Sequence, residues 1–322
     1  MRRPFTFDQR LSRLTLVWGQ FPTGVPGKLA PVHPSVAVVT GASSGIGRAT
    51  ALELARRGTS VVAVARREQA LQELAAECRR SGARLLVATA DVTDEGAVRE
   101  VASAALESFG RVDMWVNNSA VSLFCRFEEA PPHLFRRVIE TNLFGYVHGA
   151  RAALPIFRQQ KEGVLVNVSS VFGAVGAPYL SAYVISKWAI RAFGECLRQE
   201  LADADGIYVC TVLPASTDTP LFQQAANYTG RSIVPLQPVY LPERVARAIV
   251  RLGRRPRREV TIGSAGRGAL LARRLVPGLT ERVTGRIVRR SHFRDEPAAI
   301  ADGNLYKPKT DLAGMAGGWR RQ

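Results

Sequence analysis

An unbroken apolar run, Val36–Thr40, leads straight into Gly41-Ala42-Ser43-Ser44-Gly45-Ile46-Gly47, and helical spacing follows through Ala55. This junction constrains the fold more than any other stretch of the chain. A strand without polar alternation is buried on both faces, and such strands belong to parallel sheets covered by helices. The pattern then repeats. Ser60–Ala65, Leu85–Thr89 and residues 112–116, 164–168 and 207–213 read as further strands, with helical stretches such as Glu68–Arg80 between them. Residues 242–253 and Glu259–Ile262 add a last helix and strand. Parallel neighbours need crossover connections, so about seven strands alternating with helices predict an α/β, doubly wound parallel sheet with helices on both faces. After Gly263 the alternation stops. Leu270, Leu271, Leu275 and Val276 predict one basic amphipathic helix within residues 267–290, and from about Asp295 the chain reads as a polar tail of low order. Three segments result: a basic N-terminal extension (1–34), the α/β domain (35–263) and a basic C-terminal extension (264–322).

Charge bears on partners only once it is located. The formal net charge is +17. Residues 1–34 carry five Lys/Arg against one acid, residues 35–230 carry nineteen of each, and residues 231–322 carry twenty against seven. The α/β domain is close to neutral and the excess sits at the two ends. Such ends attract polyanions or anionic lipid without reading a base sequence, so no specific nucleic-acid partner is expected. In the N-terminal stretch Leu11, Leu14 and Trp18 recur at helical spacing beside Arg10 and Arg13, a pattern suited to lying on a membrane surface or docking on another subunit. Cys78, Cys125, Cys196 and Cys210 show no ligand or disulfide spacing. That excludes a disulfide framework, gives no metal site and fits a reducing compartment. The expected location is cytoplasmic, with peripheral membrane contact through the basic ends. No run of about 18 apolar residues is present to span a bilayer.

The glycine turn has a physical task. Glycines between a buried strand and a helix let the backbone approach a pyrophosphate, which the free N–H groups of the helix start then hold. The end of the second strand sorts dinucleotides. An acid there would accept hydrogen bonds from an adenosine ribose, but the chain has Ala65-Arg66-Arg67. A guanidinium pairs with a 2′-phosphate, so NADP(H) is favoured over NAD(H), with Arg66 the first candidate and Arg67 the second. Further along, Ser170 precedes Tyr183, and Lys187 lies one helical turn beyond Tyr183. A serine, a tyrosine and a lysine so spaced can form one proton-transfer site, and a proton site behind a dinucleotide turn points to hydride transfer.

Residues 35–263 resemble the short-chain dehydrogenase/reductase family. The matching motifs are Thr40 to Gly47, Asp91-Val92, Asn117-Asn118-Ser119-Ala120, Asn142, Ser170, Tyr183-Val184-Ile185-Ser186-Lys187, and Pro214 to Thr219. The resemblance implies a Rossmann-type domain, a nicotinamide cofactor, oxidation of an alcohol or reduction of a carbonyl, and homodimers or homotetramers. It implies cofactor contacts at Thr40, Gly41, Ser43, Ser44, Gly45, Ile46, Gly47, Asp91, Val92, Asn118, Ser119, Ala120, Tyr183, Lys187, Pro214, Ala215, Thr217 and Thr219. It assigns Asn117 to holding the glycine turn and the central strands, a structural role, and Asn142 to a water-linked proton path from the lysine. Ser119-Ala120 departs from the family's usual Ala-Gly, and Ala215 replaces a glycine.

Chemistry gives the remaining roles. An ordinary tyrosine, with a pKa of about 10, is a poor base near neutrality. Lys187 projects from the same helix face, and its cation, with an oxidised nicotinamide, favours the phenolate. Tyr183 then exchanges a proton with the substrate oxygen, and Ser170 hydrogen-bonds that oxygen, with neighbouring Ser169 the alternative. The resemblance further implies that residues 220–241, carrying Phe222, Tyr228, Val234 and Tyr240, cover the site. Leu123, Phe124 and Phe127 are expected opposite them, which favours an apolar substrate. Two alternatives to catalysis stand beside this reading: a nucleotide-sensing scaffold on the same fold, and association of the basic ends with nucleic acid or membrane.

Overall fold

The computed structural model describes residues 34–321 apart from 81 and 311. The N-terminal amphipathic stretch at 10–18 lies outside the described residues. Seven strands form one parallel sheet in the order β10-β7-β6-β4-β1-β2-β3. They are β1 (Val36–Thr40), β2 (Ser60–Ala65), β3 (Leu85–Thr89), β4 (Met114–Asn117), β6 (Gly163–Val168), β7 (Ile207–Pro214) and β10 (Glu259–Ile262). Every residue of β1, β2, β4 and β6 is buried, as the unbroken apolar runs require. Helices α1 (Gly45–Ala55), α2 (Glu68–Arg80) and α8 (Pro242–Arg254) cover one face, and α3 (Glu95–Phe109), α5 (Gly145–Gln160) and α6 (Ser181–Glu200) cover the other. Each side closes its own apolar layer, around Leu54, Leu71 and Ile249 on one face and Trp115, Phe157 and Leu165 on the other. The architecture is the Rossmann-type doubly wound sheet that the strand–helix alternation predicts.

Strand order reverses between β1 and β4. At such a switch point the two flanking connections leave in opposite directions, and a crevice opens beyond the carboxyl ends of the strands. Further short elements are β5 (Leu123–Phe124) paired with β8 (Ala226–Asn227), α4 (Pro132–Ile139), α7 (Leu221–Gln224), and β9 (Arg231–Ile233) paired with β11 (Phe293–Pro297); of these, β5 and α7 reach the crevice through Phe124, Leu221, Phe222 and Gln224. The C-terminal extension differs from its sequence reading. The single helix expected within 267–290 is two, α9 (Ser264–Leu275) and α10 (Pro277–Ser291). Pro277 explains the break: it lacks an N–H for the preceding turn, and its fixed φ suits the first position of a new helix. The polar segment beyond Asp295 lies along the crevice, held by the hydrogen bonds described below.

Candidate active site

The turn after β1 depends on its glycines. Gly41 and Gly45 have φ of +68° and +55°, a region that side chains disfavour. Gly47 matters through space, since a Cβ there would lie 2.2 Å from the Gly41 carbonyl oxygen. Asn118 clasps this turn from the end of β4. Its amide Nδ2 donates to the Thr40 carbonyl at 3.0 Å, and its backbone N–H donates to the Thr40 hydroxyl at 2.9 Å. The family resemblance gives Asn117 both the turn and the central strands; the turn falls to Asn118 and only the strands to Asn117. The Asn117 side chain faces the interior, accepting from Trp115 Nε1 at 2.9 Å and donating to the Tyr146 carbonyl and Asn167 Oδ1. It ties β4 to α5 and β6. The reason is strand alternation: consecutive side chains point to opposite sides, so only one of the pair reaches the turn.

Arg66 and Arg67 both line the crevice. Arg67 donates to the Ser43 hydroxyl at 2.9 and 3.1 Å and to the Ser44 hydroxyl at 2.7 Å. Arg66 turns to the C-terminal segment and donates to the carbonyls of Asn304, Leu305 and Tyr306 at 2.6–3.0 Å. Arg67 also donates to the Lys309 and Leu312 carbonyls. Asp91 holds the far side, accepting from Arg137 at 2.5 Å and from the Thr93 N–H and hydroxyl. Burial pushes the Asp91 carboxyl upward, yet these donors outweigh it and the net shift is downward.

The three residues expected to form a proton-transfer site, Ser170, Tyr183 and Lys187, all line the crevice. Ser170 follows β6 and caps the 3₁₀ turn Val171–Gly173 by accepting from the Phe172 N–H at 3.1 Å. Tyr183 and Lys187 project from the first two turns of α6. Lys187 Nζ donates to the Val168 carbonyl at 2.9 Å and to the Tyr146 hydroxyl at 3.4 Å, and lies 5.5 Å from the Tyr183 ring centroid. Ser169 donates to the Lys187 backbone carbonyl, so that hydroxyl anchors α6. Burial lowers the Lys187 amine to about 7. Burial also raises the Tyr183 phenol to about 12, opposed in part by a hydrogen bond from Ser170. The phenol therefore moves upward, against the direction expected beside a charged lysine. The cause is the dry setting, which penalises phenolate and ammonium alike.

Asn142 sits in a π turn, Glu140–Phe144, that joins α4 to α5. Its amide accepts from the Val121 N–H at 2.8 Å and donates to the Val121 carbonyl and the Ser186 hydroxyl. The side chain thus joins the loop after β4 to α6. Thr40, Gly47 and Asn142 do not line the crevice, whereas the other sequence-predicted site residues do.

The crevice encloses about 390 Å³ and ends in an aromatic chamber lined by Phe124, Phe172, Leu180, Phe222 and His292. Of the wall residues expected from sequence, Phe124 and Phe222 line it. Leu123 packs in a separate apolar cluster, Phe127 is exposed, and Tyr228 bonds outward to Asp302. Val234 contributes its carbonyl, which fixes His292 Nδ1, and Tyr240 bonds Ser264. Burial holds the His292 imidazole neutral, at about 4. His292, Thr284 and Ile287 are lining residues that sequence reasoning missed. They come from the C-terminal extension, which no motif connects to the site.

The comparisons agree with this geometry. Residues 35–229 match the family model for short chain dehydrogenase. The chain belongs to the short-chain dehydrogenase/reductase family. A Bacillus subtilis relative, described as uncharacterized oxidoreductase YxnA, is 36% identical over 84% of this chain and 77% of its own length. Dehydrogenase/reductase SDR family member 7B of Bos taurus is 34% identical over 78% of this chain and 80% of its own. Among solved structures, a Burkholderia phymatum short-chain dehydrogenase/reductase in complex with NAD superposes with a TM-score of 0.71 at 26% identity. It covers 78% of this chain and 96% of its own. A Thermococcus sibiricus alcohol dehydrogenase complexed with 5-hydroxy-NADP gives 0.63 at 30% identity, covering 71% and 95%. This short-chain dehydrogenase/reductase is thus an oxidoreductase built to hold a nicotinamide dinucleotide.

Proposed function

We propose that the enzyme transfers hydride between NADP(H) and an apolar carbonyl or alcohol, with Tyr183 donating or accepting the proton. One observation carries the reading: Ser170, Tyr183 and Lys187 line the same crevice that runs from Arg66 and Arg67 to the aromatic chamber. The residues present fit a dinucleotide. The backbone is bare at Gly41, where only glycine suits the turn, and the Ser43–Ser44–Arg67 cluster offers hydroxyls and a guanidinium to a phosphate. A bound nicotinamide supplies or accepts the hydride. Ser170 orients the substrate oxygen, Tyr183 passes it a proton, and a charged Lys187 offsets the phenolate left behind. Two further inferences belong to this reading. Four cysteines with no disulfide or metal spacing fit a cytoplasmic setting. Exposed Phe144, Ile185 and Trp188 give the α5–α6 side an apolar face for a second copy, as a homo-oligomer needs.

NADPH consumption with a panel of aliphatic and aromatic ketones tests the proposal. Tyr183→Phe keeps the ring and removes the proton. The expected outcome is a loss of about 10²–10⁴ in kcat, with NADPH fluorescence titration unchanged. Undiminished turnover in this variant refutes the role of Tyr183.

A further inference from the structure

We propose that the α9–α10 hairpin docks in the plane of an anionic lipid bilayer and turns the mouth of the crevice toward it. Leu271 and Leu275 of α9 are 59% and 69% exposed. Leu279 of α10 is 58% exposed, and Val283 and Ile287 follow it at the same spacing of four, also exposed. Residues four apart stack on one helix face, so each helix carries an apolar ridge open to solvent. A ridge of this extent on a water-soluble surface marks a place of interaction.

Charge selects the occupant. Seven arginines and a single acid, Glu281, lie between Ser264 and Ser291. Arg273 pairs with Glu281 at 2.7 Å, while Arg274, Arg282, Arg286 and Arg290 are exposed. Arg282 and Arg286 each precede a ridge residue, Val283 and Ile287, so a basic row runs beside the apolar one. A second copy of this chain would bring the same cations face to face. A nucleic-acid backbone would leave the leucines in water. An anionic bilayer takes both, with side chains in the acyl boundary and guanidinium groups among the headgroup phosphates. Among the described residues no helix is long and apolar enough to cross a membrane, so the hairpin lies flat.

The ridge also meets the crevice. Ala269 of α9 and Thr284 and Ile287 of α10 line it, and Ile287 is at the same time 46% exposed. Docking therefore places the crevice mouth at the lipid surface, where an apolar alcohol or carbonyl is concentrated. That last step rests on the oxidoreductase reading; the docking itself does not.

Flotation of the full chain with phosphatidylcholine vesicles, with and without phosphatidylglycerol, tests the proposal. The expected result is co-flotation with the anionic vesicles at low salt and not with phosphatidylcholine alone. The triple variant Leu271→Glu, Leu275→Glu, Leu279→Glu should float about tenfold less while binding NADPH as before. Exchanging Arg274, Arg282 and Arg286 for serine should remove the preference for anionic vesicles. A native chain that stays in the soluble fraction at low salt overturns the proposal. So does a triple variant that floats undiminished, which moves the contact elsewhere in the chain. If the triple variant loses self-association in sedimentation and the native chain does not float, the ridge is a subunit contact. Hydride transfer is read separately in vesicle-free buffer, so either reading can fail alone.

Discussion

Lys187 is a cation placed where a cation is costly. It is 1% exposed, and its partners are a carbonyl and a phenol instead of a carboxylate. Its amine falls from 10.5 to about 7. Between those two values the unfolded chain holds a proton that the folded chain lacks, so stability rises with pH across that window. Below about 7 both states are charged and the full cost of burial remains. Lys187→Met should therefore gain on the native protein at pH 6 by a few kcal/mol more than it does at pH 10, read from urea unfolding at both. An equal difference at both pH values would mean that Lys187 is charged throughout. The same ionisation sets a sign for catalysis. In the proposed reduction a phenolate is left on Tyr183, whose phenol is raised to about 12, and the neighbouring charge would offset it. We expect kcat/KM for reduction to fall as pH rises through about 7 and to be flat in Lys187→Met. The motif made Tyr183 and Lys187 legible in the sequence. Their dry setting was not, because it comes from Val168, Tyr146 and the covering segments, which lie far away in the chain.

At the scale of elements, the glycine turn shows two opposed effects that magnitude decides. Alanine within a helix is favoured over glycine by about 1 kcal/mol. A Cβ on Gly47, however, would sit 2.2 Å from the Gly41 oxygen and 2.6 Å from Asn118 Nδ2. Neither the turn nor its clasp can yield without giving up its shape, and overpacking of this kind costs about 1–3 kcal/mol. Gly47→Ala should lower the thermal midpoint and weaken dinucleotide binding together, read by calorimetry and fluorescence titration. Retained affinity would mean that the turn has slack. Strands such as Val36–Thr40 were legible because burial on both faces writes itself as an apolar run. The identity of the clasp was less so: Asn117 and Asn118 are alike in composition, and only the strand's pleat separates them. The α9–α10 break was legible in principle at Pro277, but apolar spacing runs through Leu275 and Val276 and hides the change of axis.

For the molecule as a whole, the informative segment is the one with the least pattern. Residues 304–310 and 312–319 run from Arg66 to the other end of the crevice. Beyond the Arg66 and Arg67 bonds, Gly314 accepts from the Gly45 N–H at 3.2 Å. Gln224 donates to Leu312, and Asp218 accepts from the Gly317 and Trp319 N–H groups at 2.9 Å. Trp319 Nε1 donates to the Thr219 carbonyl at 3.0 Å. Pro308 and Lys309 line the crevice itself. Most of these bonds use backbone groups of the segment, which is why its composition betrays nothing: a backbone carbonyl is present whatever the side chain. A segment anchored along a binding crevice is expected to slow the exit of a dinucleotide. Ending the chain after Gly303 should raise the NADPH release rate by about tenfold in stopped-flow displacement. Arg66→Ser then separates two roles. A residue that only contacts the 2′-phosphate would affect NADPH and spare NADH. A residue that also anchors the segment should speed release of both, and in the shortened chain its effect on NADH should vanish. An Arg66 variant that still affects NADH in the shortened chain would place its action on the crevice directly and not through the C-terminal segment.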